Sequence, residues 1–194
     1  FAPSSTAATV LKANAYGAGL VPVAQALWES GCHHYFVSTI LEGVALKESL
    51  PHAHIYILNG VMDGTEATLS ARNLIPVIPD PIHLKRWNMH AHALGKTLPY
   101  VLQVDTGMGR FGFDLDQARI LSENRDSCEG LHIEMLLSHL SHACLSTHPQ
   151  NASQKKLFDQ MRAWFPGVPA SLANSAGIFL GPDYHHQMTR QAIA

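Results

Sequence analysis

Charge is scarce in this sequence. Only 14% of the 194 residues are Asp, Glu, Lys or Arg, and 13 basic against 15 acidic side chains leave −2 with histidine neutral. That balance holds no electrostatic footprint for nucleic acid or an anionic membrane surface. Long apolar runs are also missing: none approaches the roughly 20 residues that span a bilayer. Cysteine is rare, and Cys32, Cys128 and Cys144 are far apart, odd in number and without CxxC spacing. The pattern argues against a disulfide framework or a zinc site and makes a reducing cytoplasm the expected compartment. Low-complexity tracts and charge runs are absent as well. What is present is 46% apolar residues, enough to bury a sizeable core and to exclude disorder.

The apolar residues come in short runs separated by helix-like stretches. The pattern predicts strands at 7–12, 35–39, 54–58, 74–78, 100–105, 132–138, 171–173 and 188–193, with helices at 21–29, 41–49, 64–71, 82–94, 115–124 and 154–164. Asp80 before Pro81, and Asp114 or Asp116, stand where N-caps belong, and Asn151 with Ser153 is expected to open the last long helix. Strand then helix, repeated about eight times, means parallel strands with crossover helices. An open doubly wound sheet and a closed (β/α)8 barrel both satisfy this, and eight strands at this spacing favour the barrel. Residues 1–194 then form one barrel domain. The chain opens Phe1-Ala2-Pro3 without Met and stops inside a strand pattern, so the expected barrel is trimmed at both ends. In either architecture chemistry belongs at the C-terminal ends of strands.

That location selects the candidates. Lys12 closes the first strand and is followed by Tyr16, Gly17 and Gly19, a lysine with an anion-friendly turn behind it. Desolvation at a strand end makes such an amine usable for Schiff-base chemistry; the plain alternative is a lysine reaching for solvent. After the fifth strand, residues 107–112 read G-x-G-x-x-G, which invites a dinucleotide reading, and Asp105-Thr106-Gly107 carries the aspartic-protease triplet. An arginine inside the turn and the late position count against the first, and the helical pattern against the second. The useful residue is Arg110, a fixed charge able to pin a phenolate or carboxylate. Thirteen histidines make any one uninformative; pairs such as His33-His34 and His185-His186 read as surface. His139 stands out at the end of the sixth strand, placed to stack on a flat ring. A metal held with His142 lacks a third ligand. Asn174 and Ser175 end the seventh strand at a helix start, a phosphate seat. Arg190 lies in the last strand, where an inward arginine needs a partner.

Taken together, K-A-N-A-Y-G-x-G at 12–19, D-T-G-M-G-R-x-G at 105–112, S-H-L at 138–140, A-N-S-A-G at 173–177 and Arg190 resemble, in order and spacing, the N-terminal barrel domain of alanine racemases. The resemblance covers nearly the whole chain and rests on five ordered motifs. It implies a pyridoxal 5'-phosphate-binding (β/α)8 barrel, followed in the family by a C-terminal β domain, in a head-to-tail homodimer. The implied reaction interconverts L- and D-alanine, the latter for peptidoglycan. By motif, Lys12 would carry the cofactor and act as one of two bases. Tyr16, Ser175 and the amides of Ala192 and Ile193 would hold its phosphate, with Asn174 nearby. Arg110 would reach the phenolic oxygen and the substrate carboxylate, His139 would stack on the ring, and Arg190 would face the ring nitrogen. The family's second base is a tyrosine of the partner's C-terminal domain, so these 194 residues alone are expected to be inactive or weakly active. Gln103 stands where many members have a lysine, Ala18 replaces a frequent histidine, and Gln191-Ala192 replaces Pro-Gly. A stand-alone cofactor-holding barrel and a racemase of another amino acid are the alternatives.

Overall fold

The computed structural model describes residues 2–124 and 128–192. Eight strands carry the fold: β1 Thr6–Val10, β2 His34–Val37, β3 His54–Ile57, β4 Ile75–Ile78, β5 Leu98–Gln103, β6 Leu131–Leu137, β7 Ala170–Ser171 and β8 Met188–Ala192. Their order is β7-β6-β5-β4-β3-β2-β1-β8, and every recorded ladder is parallel. Each strand therefore lies beside its sequence neighbour, and β8 returns to β1 with Ala8 opposite Arg190. A doubly wound sheet would reverse direction at a switch point; this one does not. Across the remaining seam Gln187 N donates to Ala170 O (3.1 Å) and Ser171 Oγ to Met188 O (2.7 Å). The barrel is nearly closed.

Closure divides the apolar residues into two bodies. Leu11, Tyr35, Val37, Ile55, Ile57, Ile78, Leu102, Leu136 and Leu172 point outward and meet the helices. Alternating residues, among them Ala8, Phe36, Tyr56, Val77, Val101 and Met135, fill the interior. Buried on both faces, these strands read as continuous apolar runs. Helix starts follow local chemistry. Thr39 and Glu42 form a capping box on the helix Ile40–Ser49, and Asp114 with Gln117 forms another on Leu115–Glu123. Asp80 caps Pro81–Leu94, accepting from Ile82 N and His83 N.

The last long helix differs from expectation. It runs Pro149–Ala163 behind a His148 cap, so it starts before the predicted 154. Asn151 is 2% exposed and donates to His142 O and Leu145 O, holding the preceding loop instead of opening the helix. Proline at the first turn was the stronger start signal. Strand ends also shift: β1 stops at Val10, which puts Lys12 in the turn beyond it. Among the described residues no helix is long and apolar enough to cross a membrane.

Two histidines read as surface are internal. His185 is 5% exposed and its Nε2 lies 2.8 Å from Ile178 O. His34 faces the N-terminal end of the barrel interior, stacked on His54 at 4.6 Å. A register shift in the β5–β6 ladder leaves Glu134 as the extra residue between Ile133 and Met135. Its carboxylate accepts from Tyr56 Oη at 3.1 Å, and His34 Nδ1 lies 3.1 Å from the same hydroxyl. With the hydroxyl proton directed to Glu134, His34 Nδ1 is the donor and the imidazole is neutral. Burial, with His54 and His33 adding repulsion, pulls His34 down to about 4. The unfolded chain, near the ordinary 6.5, thus binds more protons between pH 6.5 and 4. Stability present at neutral pH is lost as pH falls through that window. Thermal melts at pH 7.5 and 5 should show the drop, and His34→Gln should flatten it; equal slopes in both proteins would refute the assignment.

Candidate active site

A cavity of about 240 Å³ opens among the C-terminal ends of the strands. Lys12, Tyr16, Arg110, His139, Asn174, Ser175, Arg190 and Ala192 all line it, over a floor that includes Phe36, Leu58 and Leu137. Eight of the nine residues singled out from sequence therefore meet in one place. The ninth, Ile193, lies outside the described residues. A larger cavity, about 640 Å³, sits by Tyr100, the start of β6 and residues 166–169, but no such convergent polar set lines it.

Lys12 is held by an unusual turn. Ala13, Asn14, Ala15 and Tyr16 all have φ between +53° and +55°, one turn of left-handed helix without a glycine. Such backbone is disfavoured by about 1–2 kcal/mol per residue, so the surroundings must over-determine it. Ala15 is fully buried, Asn14 Oδ1 accepts from Leu20 N at 2.8 Å, and Gly17 N returns to Ala13 O at 3.0 Å. The Lys12 ammonium lies 5.9 Å from the Tyr16 ring centroid. Partial burial raises the Tyr16 phenol, which stays a neutral donor.

Arg110 stands on a loop whose amides are already occupied. The Asp105 carboxylate accepts from Gly107 N (2.9 Å), Met108 N (2.9 Å) and Gly109 N (3.0 and 3.1 Å). The glycine-rich stretch that resembles a phosphate cradle thus already holds an anion of its own. Gln103, 8% exposed, donates through Nε2 to Phe111 O at 3.3 Å and accepts Phe113 N on its backbone oxygen at 2.9 Å. A neutral amide here tethers the Arg110 loop through its backbone.

His139 is neutral. Burial, then the charges of Arg190, Arg110 and Lys12, bring it down to about 4. Asn174 Nδ2 lies 3.4 Å from its Nε2 and donates to Leu140 O, while Asn174 Oδ1 accepts from Gly177 N. Asn174 therefore orients the His139 segment while lining the same cavity. Ser175 Oγ accepts from Ala192 N at 2.9 Å, so of these two expected phosphate donors the amide is occupied by the serine and the serine keeps its own proton to donate. Arg190, 4% exposed, donates to Ser171 Oγ and, at 2.6 Å, to Ser138 O. Burial lowers it to about 10, which leaves it charged at neutral pH.

One supporting residue escaped the sequence reading. Gln154, fully buried on the helix Pro149–Ala163, donates to His139 O (2.9 Å) and Thr106 Oγ1 (3.3 Å) and accepts Ser141 N (2.9 Å). A glutamine in a polar helix gives no sign of this, because the contact exists only once the helix lies against the segments that follow β5 and β6.

Among the described residues the lining carries three cations, Lys12, Arg110 and Arg190, and no carboxylate. Charge excess, a strand-end amine, a neutral imidazole and an apolar floor fit a flat anionic carbonyl compound such as pyridoxal phosphate. Fold and site define a (β/α)8 barrel with a lysine and two arginines around a cavity at its C-terminal mouth. Residues 1–194 match the family described as "Alanine racemase, N-terminal domain". The chain belongs to that family. It is 42% identical over 188 residues to the "Alanine racemase, catabolic" of Mesorhizobium japonicum, covering 96% of this chain and 49% of the relative. With the protein of the same name from Agrobacterium fabrum, identity is 40% over 194 residues, covering 100% of this chain and 50% of the relative. The crystal structure of alanine racemase from Bartonella henselae with covalently bound pyridoxal phosphate superposes with a TM-score of 0.94 at 35% identity, covering 100% of this chain and 56% of that one. The chain spans about half the length of the relatives it matches.

Proposed function

We propose that residues 1–194 form a pyridoxal phosphate-binding domain serving the racemisation of alanine. The observation that carries the reading is Lys12 beside Arg110 and Arg190 in a cavity whose described lining holds no acid. Lys12 would hold the cofactor. Tyr16 and Ser175, the latter held by the Ala192 amide, would take its phosphate together with Ile193. His139 would lie against the ring. When bound, the cofactor supplies the electron sink that makes the Cα proton of an amino acid removable. Arg190 would face the ring nitrogen; it has donors only and keeps its charge, so it does not pass a proton to that atom. Arg110, on the rim, would attract the substrate carboxylate.

Inverting a stereocentre by proton transfer needs a base on each face. Lys12 can serve one. Among the described lining residues the other titratable candidates are poor: His139, at about 4, takes protons weakly at neutral pH, and Tyr16 is raised by burial. The second base is therefore assigned to protein outside this barrel. The rim supports a cover. Leu41 (78%), Ile82 (70%), Phe111 (60%), Leu145 (60%) and Phe179 (70%) are exposed on connections that leave the C-terminal ends of strands. An apolar rim of this kind fits burial against another protein body, consistent with a homodimer, and weighs against a stand-alone cofactor carrier. The thiols of Cys32 and Cys144, outside any disulfide, fit a reducing cytoplasm, where D-alanine for peptidoglycan would be made.

The test is chemical trapping. Protein incubated with pyridoxal phosphate, reduced with borohydride and digested should carry the label on the peptide containing Lys12. Label confined to other lysines, or absent, would sink the reading.

A further inference from the structure

The strained turn that carries Lys12 is joined to the rest of the barrel mouth by a carboxylate outside the cavity lining. Glu42 sits in the first turn of the helix Ile40–Ser49. One of its oxygens does ordinary capping work, accepting from Ser38 N at 3.0 Å, Thr39 N at 3.0 Å and the Thr39 hydroxyl at 3.2 Å. The other, Oε1, accepts from Asn14 N at 3.2 Å, 28 residues away in the left-handed turn. Asn14 is two residues from Lys12, and its side chain is fixed separately by Leu20 N. In a right-handed helix start the leading N–H groups need outside acceptors. The same need arises in this turn, and for Asn14 N the acceptor is Glu42. One side chain thus fastens the end of β1 to the end of β2.

We infer that Glu42 is a positioning residue for Lys12: it holds the left-handed turn against the β2 end, and through that turn sets where the Lys12 amine stands in the cavity. The capping role alone does not require the Asn14 contact, since Oε2 satisfies the helix start unaided. Both oxygens accept hydrogen bonds from opposite sides, which a carboxylate can do and an amide cannot. The inference rests on Lys12 as the cofactor lysine proposed above.

The two roles separate experimentally. Thr39→Ala removes the capping hydroxyl of the same helix and leaves the link from Glu42 to Asn14. Glu42→Ala removes both. Glu42→Gln keeps size and shape but offers one oxygen for two sets of donors. The measurement is the rate at which pyridoxal phosphate is captured at Lys12 in the intact protein, trapped by borohydride and quantified by peptide mass. Thermal melts run alongside. Glu42→Ala should slow capture about tenfold, the effect of losing one charge-assisted hydrogen bond in the placement of the amine. Glu42→Gln should fall between, and Thr39→Ala should stay within about twofold although its melting temperature also drops. Equal capture rates in Glu42→Ala and Thr39→Ala, or an unchanged rate in Glu42→Ala, would overturn the positioning role while Lys12 remained the cofactor lysine. Absence of label at Lys12 in the unsubstituted protein would overturn both readings.

Discussion

Lys12→Ala is expected to abolish covalent capture of pyridoxal phosphate, the step on which the proposed function depends. The fold should survive. Lys12 is half-buried, lies in the turn beyond β1, and its recorded contact is the Tyr16 ring at 5.9 Å. Removing it leaves no core cavity and relieves repulsion among the three cations of the lining. The checks are absorbance of bound cofactor after gel filtration, mass of the borohydride-treated protein and a thermal melt. Retained absorbance and label would mean that another lysine carries the cofactor. A collapsed melting temperature would mean that the left-handed turn depends on the lysine itself.

Gly112→Ala should be the most damaging single methyl in the site. Gly112 has φ +120°, and a Cβ there would sit 2.5 Å from both Asp105 N and Val104 C and 3.0 Å from Val104 Cα. All three are backbone atoms, so no side chain can swing away. The same crossing is tied by Asp105 N to Phe113 O (2.9 Å), Phe113 N to Gln103 O (2.9 Å) and Gly112 N to Pro79 O (3.1 Å). A clash combined with an unfavourable backbone conformation should cost about 3 kcal/mol or more, or a drop of roughly 10 °C in Tm for a chain of this size. Arg110, two residues upstream, should be unseated, weakening retention of anions in the cavity. Gly109→Ala supplies the contrast. Its φ is +71° and an added Cβ meets nothing within 4 Å, so only backbone strain of about 1 kcal/mol is expected. Similar losses in the two variants would refute the steric account.

That contrast marks the limit of motif reading. In sequence, residues 107–112 are a G-x-G-x-x-G with interchangeable glycines and a resemblance to a nucleotide loop. In the folded chain Gly112 is the point where two backbone segments touch, a Cβ at Gly109 would meet nothing within 4 Å, and the amides of Gly107, Met108 and Gly109 are bound by Asp105. Asn174 gives a parallel case: its motif gives no sign that its amide donates to Leu140 O and lies 3.4 Å from His139 Nε2. Strand and helix order was legible because burial on both faces writes apolar runs and crossover helices write caps. The helix starting at Pro149 was misplaced because Asn151 looks like a cap locally, while its actual partners, His142 O and Leu145 O, lie in the preceding loop.

The amino-acid sequence by itself determined the alternation of strand and helix, the scarcity of charge, and five ordered motifs that place chemistry at strand ends. These are properties of neighbouring residues, and local spacing is enough to express them. Only the tertiary structure decided which polar groups remain available. Glu42 reaches Asn14 across 28 residues, Gln154 reaches Thr106 across 48, and Glu134 reaches Tyr56 across 78. A buried polar group must find a partner once water is removed. Which partner it finds depends on how eight strands close into a barrel, and that closure is a long-range property no segment carries alone.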